Sequence, residues 1–146
     1  MNSTTPLERI TRYFETLQPQ SLELLESIYH PQAQFKDPFQ QVQGLAAIAR
    51  IYQHMFSALV QPRFVIQHRL GDAQQCFLTW DFHFAVQRGA RRWDVVIHGS
   101  SHLLLDDLGR ITQHRDYWDV AEELYEKLPV LGSLMRWLKQ KGQTPQ

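Results

Sequence analysis

The sequence reads as an α+β domain. Three observations predict this: apolar residues recur at helical spacing in the first third of the chain, alternate with polar ones over 63–119, and return to helical spacing over 121–141. Taken in order, Thr5, Pro6 and Glu8 have the spacing of a capping box with proline at the first helical position. A helix starts there, Leu7, Ile10, Phe14 and Leu17 form its apolar stripe, and Pro19 ends it. Ser21 caps a second short helix, with Leu22, Leu25, Ile28 and Tyr29 facing inward and Pro31 as its stop. Gly44 precedes a third amphipathic helix that carries Leu45, Ile48, Tyr52, Met55, Phe56 and Leu59 and closes at Pro62. The segments 63–71, 74–88, 92–106 and 110–119 are rich in Phe, Val, Ile, Trp and Tyr, with turn signals at Gly71-Asp72, Gly89 and Asp106-Asp107-Leu108-Gly109. Connections this short predict an antiparallel meander. Over 121–141, Leu124, Leu128, Leu131, Met135 and Leu138 share one stripe and Pro129 predicts a kink.

A chain of 146 residues with 43% hydrophobic content buries a core as one domain over 1–146, with its centre in 5–120 and a C-terminal helix over 121–141. Lys and Arg total 15 against 15 Asp and Glu, so the basic excess of a nucleic-acid surface is lacking. No apolar run reaches the roughly 18 residues that membrane insertion needs, and MNSTTPLERI lacks the basic start and apolar stretch of a signal peptide, which predicts a cytoplasmic protein. Cys76, the single cysteine, has no adjacent basic residue and reads as a packed thiol. Among the seven histidines, His98 and His102 share a strand face but stand about 13 Å apart at roughly 3.3 Å per residue, too far for one ion. No metal and no cofactor are expected. Lys139 and Lys141 give the last helix a basic edge, although a lid over the sheet is the simpler use of it.

The strands pose a question of faces. Over 74–88, Thr79, Asp81, His83 and Ala85 oppose Leu78, Trp80, Phe82 and Phe84; over 110–119, His114, Asp116 and Trp118 oppose Gln113, Arg115, Tyr117 and Asp119. Alternation alone leaves two arrangements. In one, the rings form the core and Asp81 and His83 are solvated; in the other, the polar set lines a cavity and a partner subunit covers the rings.

The stretch ITRYFETLQPQSLELLESIYHPQAQFKDP, from Ile10 to Pro38, followed by a helix-opening Gly44, resembles the nuclear transport factor 2-like superfamily, which includes SnoaL-like proteins and ketosteroid isomerase. The strand end ITQHRDYWD, Ile111 to Asp119, is similar to the ending found in limonene epoxide hydrolases and other SnoaL-like proteins. The resemblance implies a cone-shaped fold, a curved antiparallel sheet wrapped by helices around a deep pocket, and a homodimer through the outer sheet face. It also favours the polar-set-inside arrangement, with Trp80, Phe82, Phe84 and Tyr117 as the dimer patch. By the same resemblance Tyr13 stands at the oxyanion-stabilising tyrosine of ketosteroid isomerase and Asp37 at its general base. Ser101 replaces that enzyme's second donor, a protonated aspartic acid. Asp116 and Asp81 stand at the two catalytic acids of the epoxide hydrolases, with Thr79 in place of the arginine between them.

Asp81, His83, His114 and Asp116 have the parts of an acid–base system, because imidazole titrates near neutral pH and a neighbouring carboxylate fixes its tautomer. The catalytic candidates are Asp37, Asp116, His83 and Tyr13; the ligand-binding candidates are Asp81, Ser101, His114, Trp118, Phe39 and Tyr52. Asp37 has a structural alternative as a turn-forming residue before Pro38. Arg115 faces away from Asp116 and suits an interface ion pair. Three functions follow: an isomerase, cyclase or hydrolase acting by proton transfer on a small apolar or amphipathic molecule, a non-catalytic ligand-binding or regulatory module, or a protein-interaction module. Fold alone does not choose among them.

Overall fold

The helix α1, Pro6–Glu15, opens with the capping box its sequence predicts: Glu8 N–H donates to Thr5 Oγ1 and Thr5 N–H to the Glu8 carboxylate. The computed structural model describes residues 4–127 and 140–141. Ile10, Phe14 and Leu17 are buried as the stripe requires, joined by Tyr13. α1 stops at Glu15, ahead of Pro19, which starts a 3₁₀ turn, Pro19–Leu24, that leads into the short helix α2, Leu25–Ile28. Pro31 then falls inside a strand, β1, Tyr29–Lys36, and β2, Gln41–Gln43, pairs with it. Neither strand was expected from the sequence. The period-2 signal is there, since Ala33 and Phe35 are buried between exposed Gln32, Gln34 and Lys36, but a proline and two glutamines mask it. Pro31 is accommodated where the pairing of β1 with its neighbour shifts register, so the missing N–H interrupts no ladder.

Helix α3, Leu45–Ala58, follows Gly44 and buries Ile48 and Tyr52. It ends ahead of Pro62, which lies within β3, Val60–Gly71. That strand pairs only with β4, so Pro62 sits on a sheet edge where its lack of a donor is tolerated. The strands β4, Gln75–Arg88, β5, Arg91–Leu105, and β6, Ile111–Tyr117, continue the predicted meander. The sheet order is β2-β1-β6-β5-β4-β3, antiparallel throughout except that β1 and β6 run parallel. The curved six-stranded sheet carries α1 and α3 against its concave side, and the core lies between them. Arg9 fastens α1 to the β5–β6 turn by donating to the Gly109 carbonyl at 2.7 Å. Cys76 is buried, and burial pushes its thiol pKa up, in keeping with a packed side chain.

After β6, Asp119 caps a short helix α4, Val120–Glu123, followed by a 3₁₀ turn, Tyr125–Lys127. These residues close the edge of β5 that β6 leaves unpaired: Glu123 accepts from His98 N–H at 3.1 Å and Lys127 Nζ donates to the Val96 carbonyl at 2.5 Å. The rest of the predicted C-terminal helix, including Leu128, Leu131, Met135 and Leu138, lies outside the described residues. Among the described residues no helix is long and apolar enough to cross a membrane.

Candidate functional site

The concave face carries the rings. Leu78, Trp80, Phe82 and Phe84 point inward from β4, where Phe64 stacks on Phe82 at 4.5 Å and meets Trp80 edge-on at 5.4 Å. This overturns the arrangement that put the polar set of β4 inside, and with it the exposed patch of Trp80, Phe82 and Phe84 that argued for a dimer. The reason is the apolar area of three large rings, each worth roughly 1.5–3 kcal/mol when buried. Asp81 and His83 therefore lie on the outer face. Asp81 accepts from Gln67 Nε2 at 3.0 Å and pairs with His98 at 2.5 Å, while His83 lies beside Arg63 and Arg92, outside the cavities that hold the other candidates.

β6 does present its polar set inward, as expected, and here a connected network forms. Asp116 Oδ1 accepts from Ser101 Oγ at 2.6 Å and from His114 Nε2 at 2.6 Å. His114 Nδ1 lies 2.7 Å from Tyr29 Oη, which lies 2.8 Å from Tyr52 Oη. Ser101 in turn accepts from Trp80 Nε1 at 2.9 Å. One assignment satisfies every member: Tyr52 donates to Tyr29, Tyr29 to His114 Nδ1, and a neutral His114 donates from Nε2 to the carboxylate. Burial pushes the pKa of Tyr29 and of Tyr52 well above the ordinary 10, so both remain neutral donors. His114 is held rigidly besides, stacked on Tyr29 at 5.9 Å with Phe35 at 4.6 Å and Phe14 edge-on at 5.7 Å. Tyr29, whose spacing predicts the inward face of a helix, instead opens β1 and is a member of the site that helical spacing does not announce.

A cavity of about 390 Å³ opens beside this network. Its walls include Phe35, Phe39, Tyr52, Phe64, Trp80, Phe82, Phe84 and Trp118, with Leu124 from α4's end, and its polar members are Asp37, Gln40, His54 and Asp116. That volume falls in the range of small-molecule sites. A second space of about 30 Å³, roughly one water in size, lies deeper between Ser101, His114, Asp116, Tyr52 and apolar neighbours. Asp116 and Tyr52 line both.

The structure thus brings Asp37, Asp116, Tyr52, Phe39 and Trp118 to one cavity, with Ser101 and His114 directly behind Asp116. Tyr13 is not among them: it is buried below α1, donates to the Ser21 carbonyl at 2.9 Å, and burial lifts its pKa to about 12. Asp37 does close a turn, accepting from Phe39 N–H at 2.8 Å, Gln40 N–H at 2.9 Å and Gln40 Nε2 at 3.1 Å, and keeps its place on the cavity wall.

A family model of the SnoaL-like domain matches residues 10–114. Among solved structures, a Shewanella putrefaciens CN-32 protein assigned as a SnoaL-like polyketide cyclase is 19% identical, with a TM-score of 0.68 over 84% of this chain and 98% of that one. A limonene epoxide hydrolase-like (LEH-like) epoxide hydrolase of M. tuberculosis is 20% identical, with a TM-score of 0.68 over 94% of this chain and 98% of the other. A Catenulispora acidiphila DSM 44928 protein of ketosteroid isomerase-like fold, solved with trimethylamine, is 10% identical, with a TM-score of 0.65 over 84% and 92%. No curated protein sequence matches the chain. Structural likeness at such identities establishes the fold, and the family match covers most of the chain: the protein belongs to the SnoaL-like family, within the nuclear transport factor 2-like superfamily.

Proposed function

We propose that the protein is an enzyme that moves a proton on a small, mostly apolar molecule, with Asp116 as the base. The observation that carries this reading is the carboxylate of Asp116 at the cavity wall, with two donors on one oxygen, Oδ1, and no hydrogen bond to Oδ2 among the described residues. Ser101 and His114 fix the carboxylate in place and stabilise its charge, so Oδ2 is left to take a proton from a carbon acid or a hydroxyl. The aromatic walls exclude water and bind the body of the molecule. Tyr52, whose single hydroxyl proton goes to Tyr29, closes the network at the cavity wall and offers a ligand acceptor lone pairs only.

Proton transfer of this kind is read by hydrogen–deuterium exchange at the α-carbon of cyclic ketones incubated with the protein in D₂O, followed by NMR. Exchange above the buffer rate for ketones that bind, and its loss in Asp116→Asn, is the expected outcome. The variant keeps an acceptor for Ser101 and His114 and removes the base. Binding without exchange for every ketone, or unchanged exchange in Asp116→Asn, would refute the catalytic reading. A non-catalytic binding module is the second reading, favoured by where the side chains lie: Asp37 is tied into its turn and Tyr13 into the core, and Asp81 is paired with His98 on the outer face away from Asp116, so neither the isomerase set nor the paired acids of the hydrolases are assembled here.

A further inference from the structure

We infer that the cavity selects amphipathic organic cations, an ammonium group seated at Asp37, Phe39 and Trp118 with an apolar body among Phe64, Phe82 and Phe84. This rests on the proposal that the cavity binds a small molecule, and it names the class of that molecule.

Charge is the first argument. The two formally charged lining groups are Asp37 and Asp116, and among the described lining residues there is no Lys or Arg to neutralise them. Tyr52 stays a neutral phenol, since burial pushes its pKa well above 10. An anion would meet two carboxylates at close quarters in an apolar cavity, where the repulsion is poorly screened. A neutral molecule would gain from them at most a hydrogen bond, without the attraction of an opposite charge. Of the cations on the sheet, Arg63 and Arg92 line the outer groove with His83, Lys36 and Arg115 lie with Gln34 and Gln113, and Arg69, Arg88 and Arg91 are exposed and do not line the cavity.

Ring geometry is the second argument, independent of the first. Phe39 and Trp118 stand edge to face at one side of the cavity, centroids 5.5 Å apart and planes at 73°. Both rings and Asp37 line the cavity, and a ring face turned to it presents the negative side of its quadrupole to a cation. The Asp37 turn holds this corner rigid, since the carboxylate that would face the cation also accepts the backbone N–H groups of Phe39 and Gln40. Asp116, two residues before Trp118 on the same cavity wall, remains the base.

Benzyltrimethylammonium and its uncharged carbon isostere neopentylbenzene test the assignment, with 3-phenylpropionate as the anion. Binding is followed by quenching of tryptophan fluorescence at pH 8. The cation should bind at least tenfold more tightly than the isostere, about 1.4 kcal/mol, and the anion least. Asp37→Asn, which keeps the turn acceptor and removes the charge, should reduce the preference at least threefold without changing the thermal midpoint of unfolding. Equal affinity for cation and isostere, a preference untouched by Asp37→Asn, or binding of none of the three probes would each overturn the inference. Equal affinity would leave the cavity and its proton chemistry standing, because exchange of ketone protons is measured on other ligands.

Discussion

Gly99 faces Trp80 across the β4–β5 ladder, and the indole lies flat over its backbone. A Cβ at this position would stand 2.4 Å from Trp80 Cη2 and 2.8 Å from Cζ2 and Cζ3. Contacts so short require movement, and the ring is not a flexible tip: Trp80 is 5% exposed, packed edge-on against Phe64, and its Nε1 is bonded to Ser101. Gly99→Ala therefore displaces the indole. Overpacking of a core costs about 1–3 kcal/mol and loss of one hydrogen bond about 1 kcal/mol, so the expected destabilisation is about 2–4 kcal/mol. Urea unfolding followed by tryptophan fluorescence measures it. Trp80→Phe in the Gly99→Ala background makes room for the methyl group, and the pair should couple by more than about 1 kcal/mol in a double-mutant cycle. A Gly99→Ala variant within about 0.5 kcal/mol of the parent, or strict additivity of the pair, would show that the ring does not need the glycine.

Tyr29→Phe removes the hydroxyl shared by Tyr52 and His114, leaves two buried polar atoms unpaired, and should cost about 2–4 kcal/mol in urea unfolding. Adding Tyr52→Phe removes one of the orphans, so the double variant should be less destabilised than the sum of the singles. On the outer face, the hydrogen bond to Asp81 raises the His98 pKa above 6.5, with smaller help from the charges of Asp81 and Glu123 and opposition from desolvation and Lys127. A raised histidine stabilises fully below pH 6.5, and its contribution is lost as pH rises through the folded value. The effect on stability is small because the His98 side chain is 63% exposed. NMR titration of His98 should show the raised value and its return toward 6.5 in Asp81→Asn; an unchanged titration in that variant would break the assignment.

Much of the fold was legible because local chemistry and tertiary need agree there. The Thr5 box, the stripe of α1 and the positions of β3 to β6, to within three residues at each end, follow from spacing and turn residues. β1 was not legible: its place in the sheet is fixed by parallel pairing with β6, some eighty residues away, and nothing local to Pro31 announces it. The Asx turn at Asp37 was legible as an alternative and proves compatible with a place on the cavity wall, because a carboxylate can accept backbone N–H groups and still present its charge.

Which strand face lines the cavity turns on register, and the two hairpins differ in how much of it their turns disclose. The β4–β5 turn is the two-residue Gly89-Ala90, with Gly89 at φ +62, the first position that a type II′ turn gives to glycine. Counting outward from Arg88 opposite Arg91 puts Trp80 opposite Gly99, Leu78 opposite Ser101 and Asp81 opposite His98, as observed. A tryptophan opposite a glycine and a carboxylate opposite a histidine are complementary pairs, and that count would have sent the rings of β4 inward and Asp81 outward. The β5–β6 hairpin cannot be counted in this way. Leu105 pairs with Ile111 but Leu104 pairs with Gln113, so Thr112 is an extra residue in β6, and its hydroxyl donates to the Leu104 carbonyl at 3.2 Å. An unbroken ladder would set Asp116 opposite Ser100, on the outer face with Arg115's partners; the bulge sets it opposite Ser101, inside. One inserted residue thus brings His114 and Asp116 to the cavity and sends Arg115 and Tyr117 outward, where the guanidinium lies over the ring at 4.6 Å. The polar network exists because the ladder is irregular at Thr112, and no periodicity within β6 could have revealed it.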